Sequence, residues 1–418
     1  MKKALARKKI ACFLLFVYLV ADVVPASACS RILWKTSLGV YVGRGEDWIV
    51  DAPTHLWVLP RGMARSGATE DNPYQWTSKY GSVVITMDEH VAMDGMNEAG
   101  LSAHILWLTG TKVAPRDPKL PGLSLSMWMQ WYLDNFSTVS EAVAASKNLP
   151  FQLRMAVDHH GTKSEFHVAI EDSTGDSGIF EMVDGELKIY HDRNYIVMTN
   201  EPTYDKQLAI LSQYAGFGGN KPLPGTHDPS DRFIRGAFYA KNLPEPKNER
   251  DAVAALMSVM RNVGMPFGMP SPERQAVHAE ASPTVSFTIF RTIMNLNKRM
   301  LYFDRVFSPT VFWINIAKLD FKKGAPVKKL ATGGNDLAYD VTNKFKPAPM
   351  FRFIAASEAT LGAIDPPAPV QPAGNSVSAQ RDGQPSPYLA LWGFAMVGYL
   401  PLTGRNRKQG IAQKRKAG

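Results

Sequence analysis

The sequence predicts an α+β domain of antiparallel sheets layered with helices. Three observations carry this. Short apolar stretches with period-two patterning recur over residues 29–108 and again over 151–199, each bounded by turn residues. Two blocks of helical periodicity, 123–147 and 204–262, interrupt them, and three more strand-like stretches close the body near 284–292, 299–304 and 310–319. Strands that arrive in runs, with helices grouped between them, are the pattern of layered antiparallel sheets and not of a parallel sheet.

Taken in order, Cys29 to Thr36 reads as a strand, Leu38-Gly39 as a turn and Val40 to Arg44 as a second strand. That hairpin sets Arg44 and its neighbours beside the start of the first strand. His55 to Leu59 and Ser82 to Met87 follow as strands, then Met96 to Leu108 as strand, Asn97-Glu98-Ala99-Gly100 turn and strand. Leu123 to Phe136 and Thr138 to Lys147 have helical spacing, with Ser137 or Thr138 as N-cap. Strands return at 151–157, 165–171, 177–183, 187–191 and 195–199; Thr174-Gly175-Asp176 and Asp184-Gly185 punctuate them, the Asp-Gly pair being the stronger hairpin signal. Tyr204 to Tyr214, Asp231 to Asn242 and Glu249 to Asn262 read as helices.

The N-terminus carries Lys2, Lys3, Arg7, Lys8 and Lys9, an apolar run from Ile10 to Ala21, and Ala26-Ser27-Ala28 before Cys29. This order is that of a secretory signal peptide, residues 1–28, and predicts a periplasmic or secreted protein whose mature chain begins at Cys29. An α-amine with a reference pKa near 7.7–8.0 would then sit on the same residue as a thiol near 8.5, a base and a nucleophile together. Two other readings of Cys29 stand beside this one: an ordinary buried cysteine, or a lipid-modified one. Against the lipid stands Ala26, where a lipoprotein signal usually has Leu. Cys12 leaves with the leader, so the mature chain keeps one cysteine and forms no intramolecular disulfide.

The 418-residue chain has a formal charge of +9, but the charge is concentrated at its ends. The leader holds five basic side chains against Asp22, and residues 366–418 hold seven against Asp382. The body between is close to neutral, so no basic nucleic-acid-binding face is implied. Residues 29–350 are assigned to the folded domain and 351–387 to a Pro-rich linker, most marked from Pro366. Residues 388–418 form a short apolar segment and a basic tail. As a helix, Tyr388 to Leu402 would span about 22 Å against a membrane core of roughly 30 Å. The expectation is an unstructured tail with at most a weak membrane-surface contact.

Gly43-Arg44-Gly45-Glu46-Asp47-Trp48 lies across the predicted hairpin from Cys29. A guanidinium beside a thiol favours the thiolate, and a carboxylate can hold and orient an α-ammonium. Read alone, Asn200 suits a turn before Glu201-Pro202, Arg232 a solvated helix face, and Asn97 a hairpin turn. Trp34, Trp128 and Trp131 read as core. His90, His104 and His167 lack ligand spacing and read as structural; His159-His160 reads as a polar turn.

Five ordered blocks change the weight of these readings. Cys29 after a removable leader, Gly43-Arg44-x-x-Asp47, Asp94-Gly95-Met96-Asn97-Glu98-x-Gly100-Leu101, Met198-Thr199-Asn200-x-Pro202-x-x-Asp205 and Asp231-Arg232-Phe233-Ile234-Arg235 resemble the choloylglycine hydrolase family. The family comprises bile salt hydrolases and penicillin V acylases, and the likeness runs from Cys29 to about Phe321. It implies the four-layer αββα sandwich of N-terminal-nucleophile hydrolases and cleavage of linear, non-peptide amide bonds, with no metal and no cofactor. Carried over, Cys29 is nucleophile and, through its α-amine, base; Arg44 and Asp47 flank it; Asn200 donates to the oxyanion; Arg232 completes the polar network. The family's other oxyanion position, often Asn or Tyr, falls on Trp107, where the contact would come from the backbone N–H. Trp48 and Trp107 adjoin these blocks and are expected to line the acyl pocket, favouring aryl or straight acyl chains. The resemblance implies a small-molecule acyl amide as substrate and a homo-oligomer, often a tetramer. The substrate reading is penicillin V acylase-like. Its rivals are a conjugated bile salt hydrolase or an acyl-homoserine lactone acylase and, of another class, an exported lipid-anchored or ligand-binding protein without activity.

Overall fold

The structure, a computed structural model, describes residues 29–48, 51–157, 161, 163–214, 221–267, 287–334 and 337–357. It opens on a hairpin of β1 (Ser30–Thr36) and β2 (Gly39–Trp48), in register from Ser30↔Gly45 to Thr36↔Gly39. Gly39 makes the tight return possible: its φ is +130°, and a Cβ there would meet Asn297 Oδ1 at 2.8 Å. β3 (Thr54–Leu59), the small pair β4 (Ala64–Ser66) and β5 (Gln75–Thr77), β6 (Ser82–Met87), β7 (Val91–Asn97) and β8 (Ser102–Trp107) follow. After β9 (Gly122–Ser124) come α1 (Leu125–Asn135), capped by the Ser124 side chain, and α2 (Val139–Ser146), opened by a Thr138–Glu141 capping box.

The second run comprises β10 (Gln152–Arg154), β11 (Phe166–Glu171), β12 (Ser177–Val183), β13 (Glu186–His191) and β14 (Val197–Met198). Helices α3 (Tyr204–Ser212), α4 (Pro229–Asn242) and α5 (Glu249–Val263) come next. The chain then returns as β15 (Phe287–Asn295), β16 (Met300–Arg305), β17 (Val311–Asn315), β18 (Lys328–Ala331), β19 (Tyr339–Asp340) and β20 (Lys346–Pro347).

Two large sheets result. One has strand order β14-β1-β2-β15-β16-β17-β19, the other β13-β12-β11-β8-β7-β6-β3-β18-β20. Leu33 and Val42 of the first interleave with Leu56, Val83, Ile85 and Met96 of the second, together with Phe290 and Phe303. Each such fully buried side chain contributes roughly 1.5–3 kcal/mol. α4 and α5 cover the outer face of the first sheet through Ile32, Tyr41, Phe233, Leu256 and Met260. α1 and α2 cover the second through Trp128, Tyr132, Val139, Ile105 and Val168. The order is helix, sheet, sheet, helix: the αββα sandwich.

The expected strands at 151–157 and 195–199 shrink to Gln152–Arg154 and Val197–Met198, and 310–319 ends in a 3-10 turn over Ile316–Lys318. The sequence reading missed the short strands β4, β5, β9 and β18 to β20. One boundary needs correcting. Residues 351–357, assigned to the linker, pack onto the body: Phe351 lies 5.1 Å from Trp57, Ser124 and Ser126 hydroxyls donate to Ile354 O at 2.8 and 2.7 Å, and Ala356 N–H donates to Ala68 O. Aromatic side chains and backbone hydrogen bonds keep this stretch on the domain where composition alone suggested a departure. The leader, the rest of the linker, the tail and His159-His160 lie outside the described residues.

Candidate active site

Strand alternation explains how the first hairpin builds a site. On β2, Gly43 and Gly45 face α5, where a Cβ on Gly43 would meet Met260 Cγ at 2.7 Å. Arg44 and Glu46 therefore project the other way, between the sheets, and Arg44 Nη2 donates to Ile105 O of β8 at 2.7 Å. The same nitrogen points at Cys29 Sγ, 3.8 Å away, and Arg44 is ion-paired with Glu46. Cys29 Sγ in turn donates to Glu46 Oε1 at 3.6 Å and approaches Asp47 O at 3.9 Å.

Two more residues arrive from distant segments. Arg232 on α4 is fully buried, not solvated, and donates to Cys29 O at 2.6 Å, Ser30 Oγ at 2.7 Å and Asn200 Oδ1 at 2.9 Å. Asn200, after β14, donates through Nδ2 to Trp107 O at 2.9 Å, and Gln207 Nε2 holds its backbone carbonyl. Leu108 N–H donates to Glu165 O, so Trp107↔Phe166 is a non-hydrogen-bonded pair of the β8–β11 ladder. The Trp107 N–H thus faces away from β11, on the same edge as the carbonyl that Asn200 caps. Two donors, Asn200 Nδ2 and Trp107 N–H, stand side by side.

The electrostatics follow from burial. The Cys29 thiol is pushed up to about 12, by burial first, then by the negative charge of Glu46; Arg44 only partly offsets this. Glu46 is raised to about 7 by burial, with Arg44 pulling it down and Asp47 pushing it up. Asp47 is raised as well, by burial, against the pull of Arg232, Thr288 and Arg291. Burial opposes the Arg44 charge, but Glu46 and the sulfur more than restore it. Neither Asp47 carboxylate oxygen makes a well-formed hydrogen bond among the described residues, although the side chain is 1% exposed. Beside the site, Trp48 and Trp107 meet with ring centres 5.7 Å apart, and Trp107 sits edge-on to Phe166 at 5.9 Å.

The structure thus brings Cys29, Arg44, Asp47, Asn200, Arg232, Trp48 and Trp107 into one neighbourhood. Asn97 does more than turn the chain: its Oδ1 accepts from Ala99 and Leu101 N–H, and its Nδ2 ties the turn to the end of α1 through Leu133 O and Phe136 O. The sequence reading passed over Glu46. A signal was available, since one step beyond the Ser30↔Gly45 pair the hairpin register sets Glu46 opposite Cys29.

An αββα sandwich with a cysteine at the head of a central strand defines the N-terminal-nucleophile hydrolase class. Within it, residues 29–329 match the model of linear amide C–N hydrolases, choloylglycine hydrolase family, and the chain belongs to that family. It is 35% identical over 373 residues to the penicillin V acylase of Pectobacterium atrosepticum, covering 83% of this chain and 97% of the relative. The bile salt hydrolase/transferase of Clostridium perfringens is more distant, 27% identical over 269 residues, covering 57% of this chain and 80% of that one. Among solved structures, a penicillin V acylase from Agrobacterium tumefaciens superposes with a TM-score of 0.70 and 40% identity, covering 78% of this chain and all of that one. The protein is accordingly a hydrolase of linear amide C–N bonds.

Proposed function

We propose that the protein is an exported, penicillin V acylase-like amidohydrolase that works through Cys29 as its N-terminal residue. The observation that carries this reading is Cys29 at the head of β1, its thiol 3.8 Å from Arg44 Nη2 and 3.9 Å from Asp47 O, with the buried Asp47 carboxylate under the pull of Arg232, Thr288 and Arg291. While Cys29 is joined to Ala28 its nitrogen is an amide and cannot take the thiol proton. Removal of residues 1–28 would free an α-ammonium that Asp47 can hold, and the deprotonated amine would take the thiol proton.

The thiolate then attacks the amide carbonyl carbon. The oxyanion develops where Asn200 Nδ2 and the Trp107 N–H converge, while Arg44 and Arg232 keep the nucleophile's strand and Asn200 in place. The ammonium returns its proton to the leaving amine, the C–N bond breaks, and water hydrolyses the thioester with the amine again as base. The half-buried Trp48–Trp107 pair suits a flat aryl or straight acyl group, through burial worth roughly 1.5–3 kcal/mol per well-covered group. A broad hydroxylated steroid would need separated polar partners instead.

Two measurements test the reading. Intact mass of the purified, exported protein should show a chain beginning at Cys29 with an unmodified amine; active protein retaining Ala28, or carrying a lipid on Cys29, would overturn it. The kcat/KM for penicillin V should exceed that for glycocholate, with a medium-chain acyl-homoserine lactone measured alongside. Glycocholate preferred by about tenfold, 1.4 kcal/mol in transition-state binding, would remove the pocket argument.

A further inference from the structure

Glu46 has no place in the mechanism above, yet it touches both the nucleophile and its guanidinium neighbour. We propose that Glu46 is a positioning residue, which holds Arg44 against Cys29 and sets the pH at which the thiol ionises. The inference deepens the proposed function, since it takes Cys29 as the nucleophile.

The geometry is that of a closed triangle. Cys29 Sγ donates to Glu46 Oε1 at 3.6 Å, Arg44 Nη2 reaches Sγ at 3.8 Å, and Glu46 and Arg44 are ion-paired. All three groups are sealed from water, at 1%, 0% and 1% exposure for Cys29, Arg44 and Glu46. The surroundings leave the triangle little other compensation. From β15 the ladder partner of Glu46 is Phe290, whose ring also carries the Arg44 guanidinium at 5.7 Å from its centre. From the second sheet, among the described residues, Arg44 donates to the Ile105 carbonyl, with the Asp94 charge of β7 further off. On its own strand Glu46 feels Asp47, whose charge is balanced from α4 and β15 by Arg232 and Arg291. Arg44 Nε and Nη1 have no hydrogen-bond partner among the described residues, so Glu46 is the neighbour that makes its burial tolerable.

A cost comes with this. The carboxylate that holds Arg44 in place also stands beside the sulfur, where its negative charge opposes the thiolate and outweighs the favourable charge of Arg44. The thiol is therefore a weaker acid with Glu46 than without it. A residue that only filled space would leave the ionisation unchanged.

The test uses the mature enzyme with Glu46→Gln, which keeps shape and removes charge, and Glu46→Asp, which keeps charge and draws it back from the sulfur. Iodoacetamide alkylation of Cys29 is followed from about pH 5 to about pH 12, far enough to reach the raised thiol, beside the pH profile of kcat/KM for penicillin V and a thermal melt of each variant. For Glu46→Gln, the alkylation midpoint and the acid limb of kcat/KM should both fall by about one pH unit. Glu46→Asp should shift both the same way by less than half as much, and reads the proposal by itself should the Gln variant not fold. Unshifted or upward-shifted midpoints in a folded variant overturn the proposal. A shifted alkylation profile in an enzyme that cleaves none of the amides would instead sink the functional reading and leave the role of Glu46 standing.

Discussion

Two buried charge clusters lie side by side, and they have opposite fates. The first is Cys29, Arg44, Glu46 and Asp47. The second starts two residues along β1, where Arg31 pairs with Glu171 and donates to Ser177 Oγ at 2.6 Å and Tyr195 O at 2.9 Å. Glu171 meets His104 at 2.8 Å and His104 meets Asp94 at 2.6 Å, an ion pair without good hydrogen-bond alignment. Asp94 accepts from Thr292, which is the ladder partner of Arg44. In this chain of contacts every charge faces an opposite one. His104 is held up to about 9, since Glu171 and Asp94 outweigh its burial, and Glu171 is held down to about 2, since Arg31 and His104 outweigh its own. Beside Cys29 burial wins, and the acids are pushed toward their neutral forms. Equal burial thus gives a locked scaffold where charges are matched, and groups ready to change protonation where they are not.

The largest effect expected from breaking this contrast is on the reactive side. Cys29→Ala should cost about 10⁴-fold or more in turnover, with the melting temperature nearly unchanged because the lost atom is small. Residual amide cleavage near the wild-type rate would remove the cysteine mechanism. On the scaffold side, His104→Leu leaves the buried Asp94 without its cation and Glu171 with Arg31 alone, and should lower unfolding free energy by roughly 3–5 kcal/mol in urea denaturation. The kcat of the folded fraction should stay close to wild type; if kcat collapses too, the clusters are not separable. Asn200→Ala removes the proposed oxyanion donor and should lower kcat by ~10²–10³-fold without a matching change in thiol alkylation rate.

The smallest and most discriminating effect is on stability against pH. Glu171, depressed to about 2 from an ordinary 4.5, stabilises the fold above pH 4.5, and this is lost as pH falls from 4.5 toward 2. His104, raised to about 9 from 6.5, stabilises fully below 6.5, and this fades as pH rises through 9. Glu46 acts with the opposite sign to Glu171: raised to about 7, it favours the fold while protonated, and that contribution drains away between pH 4.5 and 7. Melting temperatures should therefore decline from pH 4.5 to 7 in the wild type and go on declining from there to about pH 9. Glu46→Gln should flatten the first decline and leave the second, which belongs to His104. A variant curve parallel to wild type throughout would erase the distinction between the two clusters.

Much of the site was legible because it is local. Cys29 and Arg44 belong to one hairpin, and a tight turn at Gly39 fixes which residues of the two strands face each other. Alternation within β2 would have exposed Glu46 too, had register been read beyond Ser30↔Gly45. The short strands β18 to β20 left no such trace, because pairs of two to four residues carry too little periodicity to stand out from loop. Residues 351–357 were misplaced for a related reason: whether Phe351 is linker or core depends on Trp57, almost three hundred positions away.

By itself, then, the sequence determined the αββα class, through its ordered blocks, and the hairpin that seats Arg44 and Asp47 beside Cys29. Only the tertiary structure decided that Arg232, 203 residues from Cys29, is a buried clamp on its carbonyl and not a surface charge, and that Asn200 and Trp107 converge across 93 residues. It also decided the protonation of every acid in the site. Turn geometry and strand alternation are properties of neighbouring residues and can be read along the chain. Desolvation is a property of what the rest of the fold places around a group, and at Cys29, Glu46 and Asp47 it is the largest influence on ionisation.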